Sequence, residues 1–274
     1  MEDGNLFGRK HGVIMALDMH ERDLIEHVVD ICNETQGVVA LKMGMIPVMQ
    51  YGLPRTVELL RGLTDLPLIY DHQKMGVCPA TPESDLDDDG LKQARFFGGI
   101  LGKCKVDGGI IYPTGDFLVP ESHEPIPYES DLSVQRAFTD SFRGNGVEPF
   151  LLGRFTCDGH LRGEGGILPD DMPEKIYRRT AEAGIECYIM PGNRPEETEG
   201  FVDLVTGILP ADTTPKICLP GFGSQGGTVK EAFRATRGLP SYAIIGPCDC
   251  FDLSERGRVA DHVRRYCDEA LAFG

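Results

Sequence analysis

Short apolar runs alternate along the whole chain with longer segments whose apolar residues recur at helical spacing. Val13 to Leu17 (VIMAL) is the first run and ends at Asp18; Val38 to Leu41 is the second and ends at Lys42; Leu66 to Tyr70 is the third and ends at Asp71. Five more follow at Gly109–Tyr112, Pro149–Leu152, Cys187–Met190, Lys216–Leu219 and Tyr242–Ile245. Runs of this length, bounded by Gly, Pro or charge, read as buried parallel strands. Between them lie helices. Glu21–Thr35 places Leu24, Ile25, Val28, Val29 and Cys32 on one face, and Pro47–Leu63 follows, with Gly52 and Pro54 expected to kink or delay it. The pattern continues with helices at Leu91–Cys104, Leu132–Arg143, Pro173–Ala183 (Gly184 at its C-terminal cap), Glu197–Ile208, Val229–Thr236 and Leu253–Leu271. Pro113–Ser130 reads as a long loop and Gly159–Gly166 as a flexible one.

Eight strands alternating with eight helices in 274 residues predict a (β/α)8 barrel forming one domain over residues 1–274. An open doubly wound sheet is the alternative, but the Gly-rich fingerprint it carries after its first strand is missing. Composition narrows the function classes. A net charge of −16 argues against nucleic acid as a partner, since phosphates demand basic patches. No apolar run approaches the roughly 20 residues of a membrane span, and the polar start MEDGNLFGRKHG is not a signal peptide, so a cytoplasmic protein is expected. The nine cysteines are scattered; Cys248-Asp249-Cys250 lacks a second pair at ligand spacing, and no metal is expected.

In a barrel of this kind the C-terminal strand ends share one face, where chemistry sits. That face collects Asp18, Lys42, Asp71, Lys74, Thr156 and Gln225. Two lysines and two aspartates at close quarters hold one another ionised. A carboxylate pressed on a substrate carboxylate raises the ground state, and an adjacent Lys stabilises and protonates a developing carbanion. This is decarboxylation chemistry without a cofactor. The other reading of the same residues is a set of strand-end ion pairs. A second signal is PGFGSQGG (220–227) after the seventh strand, because Gly-rich loops there let backbone N–H groups approach an anion.

These stretches resemble the orotidine 5′-monophosphate decarboxylases over nearly the whole chain. MALD (15–18) is similar to the family's first-strand Asp motif, LKMG (41–44) to its second-strand Lys motif, PGNRPEE (191–197) to the loop after strand six, and LPGFGSQGG (219–227) to the strand-seven loop. The resemblance implies release of CO₂ from orotidine 5′-monophosphate to give UMP, with no cofactor, by a homodimer whose active sites lie at the subunit interface. It implies ribose contacts for Asp18 and Lys42, with Lys42 also in the charged network; Asp71 pressing on the substrate carboxylate; and Lys74 as proton donor. It further implies a pyrimidine contact for Thr156, a bridge from base to phosphate for Gln225, and substrate contacts at Thr81, Pro191, Gly226, Gly227 and Gly246. Three departures stand out. One extra residue separates Asp71 from Lys74, so on a regular strand their side chains face opposite ways unless a bulge intervenes. The family's second Asp falls at Val77, with Glu83 and Asp85 as candidate substitutes, and its phosphate-binding Arg falls at Pro247, leaving a backbone nest at Gly226-Gly227 as the candidate grip. Two alternatives stay open: a diverged enzyme acting on another phosphorylated or nucleotide-like substrate, and a non-catalytic ligand-binding homologue. The sugar-phosphate branch typically carries Glu where Lys42 stands and uses Mg²⁺.

Overall fold

A computed structural model describes residues 6–71, 86–113, 128–246 and 256–273. In chain order these form β1 (His11–Leu17), α1 (Arg22–Glu34), β2 (Val38–Met43), α2 (Met45–Tyr51), α3 (Leu53–Arg61), β3 (Leu68–Asp71), α4 (Leu86–Lys103) and β4 (Gly108–Ile111). The second half continues with α5 (Tyr128–Gly144), β5 (Glu148–Leu152), α6 (Met172–Glu182), β6 (Cys187–Ile189), α7 (Pro195–Ile208), β7 (Lys216–Leu219), α8 (Val229–Ala235), β8 (Ser241–Ile245) and α9 (Arg256–Leu271). Each strand pairs in parallel with the next, and β8 returns to β1 from His11↔Ser241 to Met15↔Ile245, closing the barrel. The protein is a (β/α)8 barrel. Among the described residues, no helix is long and apolar enough to cross a membrane.

The expected run Pro47–Leu63 forms two helices, because Gly52 takes a φ of +80°, a left-handed value that ends α2 before Pro54 helps to start α3. The stretch expected to be flexible at Gly159–Gly166 is a hydrogen-bonded turn. Leu161 and Leu168 form a bridge, a short 3₁₀ turn runs from Arg162 to Glu164, and the Glu164 carboxylate accepts from Arg154. Most of the loop expected at Pro113–Ser130 lies outside the described residues; its last three residues belong to α5.

Strand register decides what faces the barrel axis. Side chains alternate along a strand, and the pairs Ile14↔Ala40, Ala16↔Lys42 and Lys42↔Ile69 put these residues on one face. Continuing round, Asp71↔Ile110 and Leu152↔Ile189 join the same face, as does Ile244, opposite Ile14. The inward layer at the C-terminal end is therefore Ala16, Lys42, Asp71, Ile110, Leu152, Ile189 and Ile244: two charges in an apolar ring. The opposite end is closed by aromatics. Phe7 lies with its ring 4.1 Å from Tyr242 and 5.9 Å, edge-on, from Phe150. That end is a packed plug, and the open end holds the cavity.

Candidate active site

A cavity of about 280 Å³ opens at the C-terminal ends of the strands. Its floor is the inward ring just described. Its wall comes from Asp18 after β1, Arg154–Thr156 after β5, Pro220–Gln225 after β7, Gly246 after β8, and His262 and Tyr266 on α9.

Lys42 is the centre of the charged floor. Its Nζ donates to Asp71 Oδ2 at 2.8 Å and reaches Asp18 Oδ2 at 3.5 Å. The Lys42 and Asp71 side chains are only 10% and 8% exposed, whereas Asp18 is 47% exposed at the rim. Burial alone would lower the pKa of the Lys42 ammonium; the charges and hydrogen bonds of Asp71 and Asp18 outweigh it, and the pKa is raised. Lys42 is therefore a cation at neutral pH. Asp71 Oδ1 is buried and has no hydrogen-bond partner among the described residues. An unmatched carboxylate oxygen beside an apolar cavity is costly, and here it lies in a residue that lines the space a ligand would fill.

The backbone makes room for this pair of carboxylates at one glycine. A Cβ on Gly44 would fall well inside contact distance of Asp18 Oδ1, so the residue after Met43 must be Gly for Asp18 to turn toward Lys42. Gly44→Ala is expected to push Asp18 off Lys42 while leaving the buried Lys42–Asp71 pair in place. Ligand affinity should then fall with little change in thermal stability; an unaltered affinity would show that Asp18 takes no part in binding.

The opposite wall is built on β5. Arg154 is buried, its Nε donating to Glu197 at 2.8 Å and its outer nitrogens to Glu164. Arg194 joins the cluster, 2.9 Å from Glu197 and bonded to Asp158. Together they tie the segment after β5 to α7. Phe155 lines the cavity between Tyr112, 4.9 Å away edge-on, and His160, stacked at 4.5 Å. Asn193 Nδ2 donates to the carbonyls of Thr156 (3.0 Å) and Gln225 (3.3 Å), joining the β5 and β7 loops.

Of the residues singled out from the sequence, Asp18, Lys42, Asp71, Thr156, Gln225 and Gly246 line this cavity. Pro191, Gly226 and Gly227 do not. Pro191 is buried, its carbonyl taken by Thr198 Oγ1 at 2.9 Å. The Gly226 N–H bonds to Gly223 O and the Gly227 N–H to Gly221 O, both at 3.0 Å, so in this loop neither N–H is free to hold an anion as a nest would require. Lys74 and Thr81 lie outside the described residues, as do Val77, Pro247 and the Cys248/Cys250 pair. Arg154, Phe155, His262 and Tyr266 also line the cavity and were not among the candidate residues, and Phe222 joins them from within the PGFGSQGG stretch. Some of these carried a signal: Arg154 stands two residues before Thr156, and His262 and Tyr266 share a helix face at i, i+4. His262 Nε2 lies 3.1 Å from Gly246 O, which places α9 at the end of the cavity where β8 finishes.

The sequence matches no protein-family model and no curated protein. Solved structures are similar to it. An orotidine 5′-phosphate decarboxylase from Pyrococcus horikoshii superimposes with a TM-score of 0.60 at 16% identity, covering 92% of this chain and 99% of that one. An orotidine 5′-monophosphate decarboxylase from Sulfolobus solfataricus gives 0.60 at 17% identity, covering 94% and 98%. KGPDC from Streptococcus mutans gives 0.50 at 14% identity, covering 96% and 98%. The chain thus shares, over nearly its full length, the barrel fold of the orotidine 5′-phosphate decarboxylases of solved structure.

Proposed function

We propose that this protein is a cofactor-free decarboxylase converting orotidine 5′-monophosphate to UMP. The observation that carries the reading is the buried Lys42 ammonium held between Asp71 and Asp18 at the floor of a cavity whose other wall offers Thr156 and Gln225. The shared fold and the motifs at 15–18, 41–44 and 219–227 support it.

In this reading Asp18 and Lys42 hold the ribose hydroxyls, and Thr156 and Gln225 address the pyrimidine. The substrate carboxylate is set against Asp71, whose Oδ1, without a partner among the described residues, repels it there. The bond from the ring carbon to the carboxylate breaks and its electron pair stays on the ring carbon. Lys74 protonates that carbanion, and CO₂ leaves. The apolar ring of Ile110, Leu152, Ile189 and Ile244 favours the neutral gas over the carboxylate and keeps the charges on Lys42 and Asp71 poorly screened. With Pro247 where the family has Arg, and the N–H groups of Gly226 and Gly227 taken within their own loop, the phosphate would be met by the cavity end formed by Gly246, His262 and Tyr266. That changed grip favours a second reading, a related lyase acting on a different phosphorylated substrate. Lys42, where the sugar-phosphate branch typically has Glu, speaks against that branch.

The protein is also proposed to act as a homodimer. Met45, Ile46 and Met49 on α2 are 43%, 46% and 80% exposed, directly after the Lys42–Gly44 stretch. An apolar cluster beside a site marks an interaction surface, and light scattering should give twice the 30.1 kDa chain mass; a monomer at all concentrations would refute this.

The deciding experiment mixes purified protein with orotidine 5′-monophosphate and follows loss of pyrimidine absorbance, with Lys74→Ala as control. Turnover that disappears in the variant is expected. A folded protein that binds UMP but releases no CO₂ would overturn the assignment and favour the second reading.

A further inference from the structure

Outside the charged floor, one other pair of side chains among the described residues is arranged for chemistry. Cys157 Sγ lies 3.2 Å from His160 Nε2. A nucleophile within hydrogen-bond reach of a base whose orientation is fixed by a third group is the signature of an activated nucleophile. The third group is Phe155, whose ring stacks on His160 at 4.5 Å and 24°.

The stretch carrying the sulfur is fixed on both sides. Asn193 holds the carbonyl of Thr156, and Arg194 binds the carboxylate of Asp158. Cys157 is exposed, and it follows Thr156 and Phe155, both of which line the cavity. The other described thiols differ. Cys32, Cys187, Cys218 and Cys267 are buried, and burial pushes each of them up, away from the reactive thiolate. Cys104 is partly exposed, and burial pushes it up as well.

We infer that Cys157 and His160 form a reactive thiol site at the cavity rim that exchanges with low-molecular-weight disulfides of the glutathione class. His160 Nε2 takes the thiol proton. The Cys157 thiolate attacks one sulfur of the disulfide, a new S–S bond forms, and the original S–S bond breaks. The departing thiolate takes the proton from His160 and leaves as a thiol. Cys157 is thereby oxidised, and the small disulfide is the oxidant. The adduct places a charged peptide on the rim next to Thr156. The exchange does not depend on which substrate the cavity takes.

The test treats the purified full chain with oxidised glutathione, quenches with acid at intervals, and measures adduct formation at each cysteine by peptide mass spectrometry. Cys157 is expected to react at least about tenfold faster than Cys104 and than the four buried thiols. His160→Phe keeps a ring on Phe155 and removes the base; it should slow Cys157 by about tenfold and leave Cys104 unchanged. A wild-type Cys157 no faster than Cys104 would overturn the inference, as would a Cys157 rate indifferent to His160→Phe. Should the variant raise the rates of the buried thiols, it has lost its fold, and the wild-type ratio of Cys157 to Cys104 decides alone.

Discussion

Replacing Lys42 with Met is expected to abolish turnover of orotidine 5′-monophosphate, lowering kcat/KM by about 10³, and to destabilise the barrel in the same stroke. Met keeps the length of the stem and removes the ammonium, so it deletes charge with little change in volume. What it leaves behind is Asp71, only 8% exposed, with one oxygen already unmatched among the described residues and the other now stripped of its 2.8 Å partner. Breaking a buried pair by removing one partner costs about 3–5 kcal/mol. Asp18 adds little, since at 47% exposure its attraction is largely screened by water. The two losses separate in the double variant Lys42→Met/Asp71→Leu, which removes both charges and should recover most of the stability and none of the activity. pH gives an independent check. The Lys42 pKa is raised in the folded chain above its ordinary 10.5. A group raised on folding contributes its full stabilisation below the unfolded value, and that contribution is lost as pH climbs through the folded value. The stability gap between wild type and Lys42→Met should therefore be constant at neutral pH and shrink above about pH 10.5. A gap that does not change with alkaline pH would mean that the pair does not stabilise the fold.

The layout of the barrel was legible because parallel strands buried on both faces leave short unbroken apolar runs, and each of the eight runs became a strand. Their ends moved by a residue or two, as at the third run, where Leu66 and Pro67 precede the strand and Asp71 joins it. That last shift matters, because it sets Asp71 inside the barrel opposite Ile110 and two positions beyond Ile69, on the same face as Lys42. The charged floor could be read from the sequence since its members end their strands. Of the far wall, Thr156 and Gln225 could be read as well, but the ion pairs that hold it could not. Arg154 looks like any charge at a strand end until Glu164 and Glu197, 10 and 43 residues further on, are brought to it by folding. The Gly-rich strand-seven loop lines the cavity from Pro220 to Gln225, yet the state of its last two glycines was not legible, for a related reason. Glycine count shows that a backbone can approach an anion, but not whether its N–H groups are already bonded within the loop, as those of Gly226 and Gly227 are. The turn at Gly159–Gly166 reads as slack by composition, yet its Glu164 carboxylate ties it to Arg154. In each case the missing information is a pairing made only in the folded chain, which local pattern does not encode.

Arg154→Met should produce the second large effect, on stability first and on binding through it. The guanidinium is 2% exposed and holds two carboxylates from two separate elements, Glu164 in the turn after β5 and Glu197 in the first turn of α7. Once it is gone, those carboxylates face each other and Arg194 without their main partner. Glu164 at 18% and Glu197 at 38% exposure can regain some water, so the loss should fall near the low end for a broken buried pair, about 3 kcal/mol. For a chain of this size that corresponds to a fall in Tm of about 6 to 12 °C. The segment it releases carries Phe155 and Thr156, which line the cavity, so ligand KM should rise more than kcat falls. Charge removal gives the discriminating experiment. Adding Glu164→Gln to Arg154→Met takes away one of the carboxylates stranded by the first change, and should restore part of the lost Tm if the cost is electrostatic. If the double variant is less stable than Arg154→Met, the Glu164 carboxylate still stabilises the wall through Arg194 and the Leu161 N–H, and its stranding is not what the single variant costs.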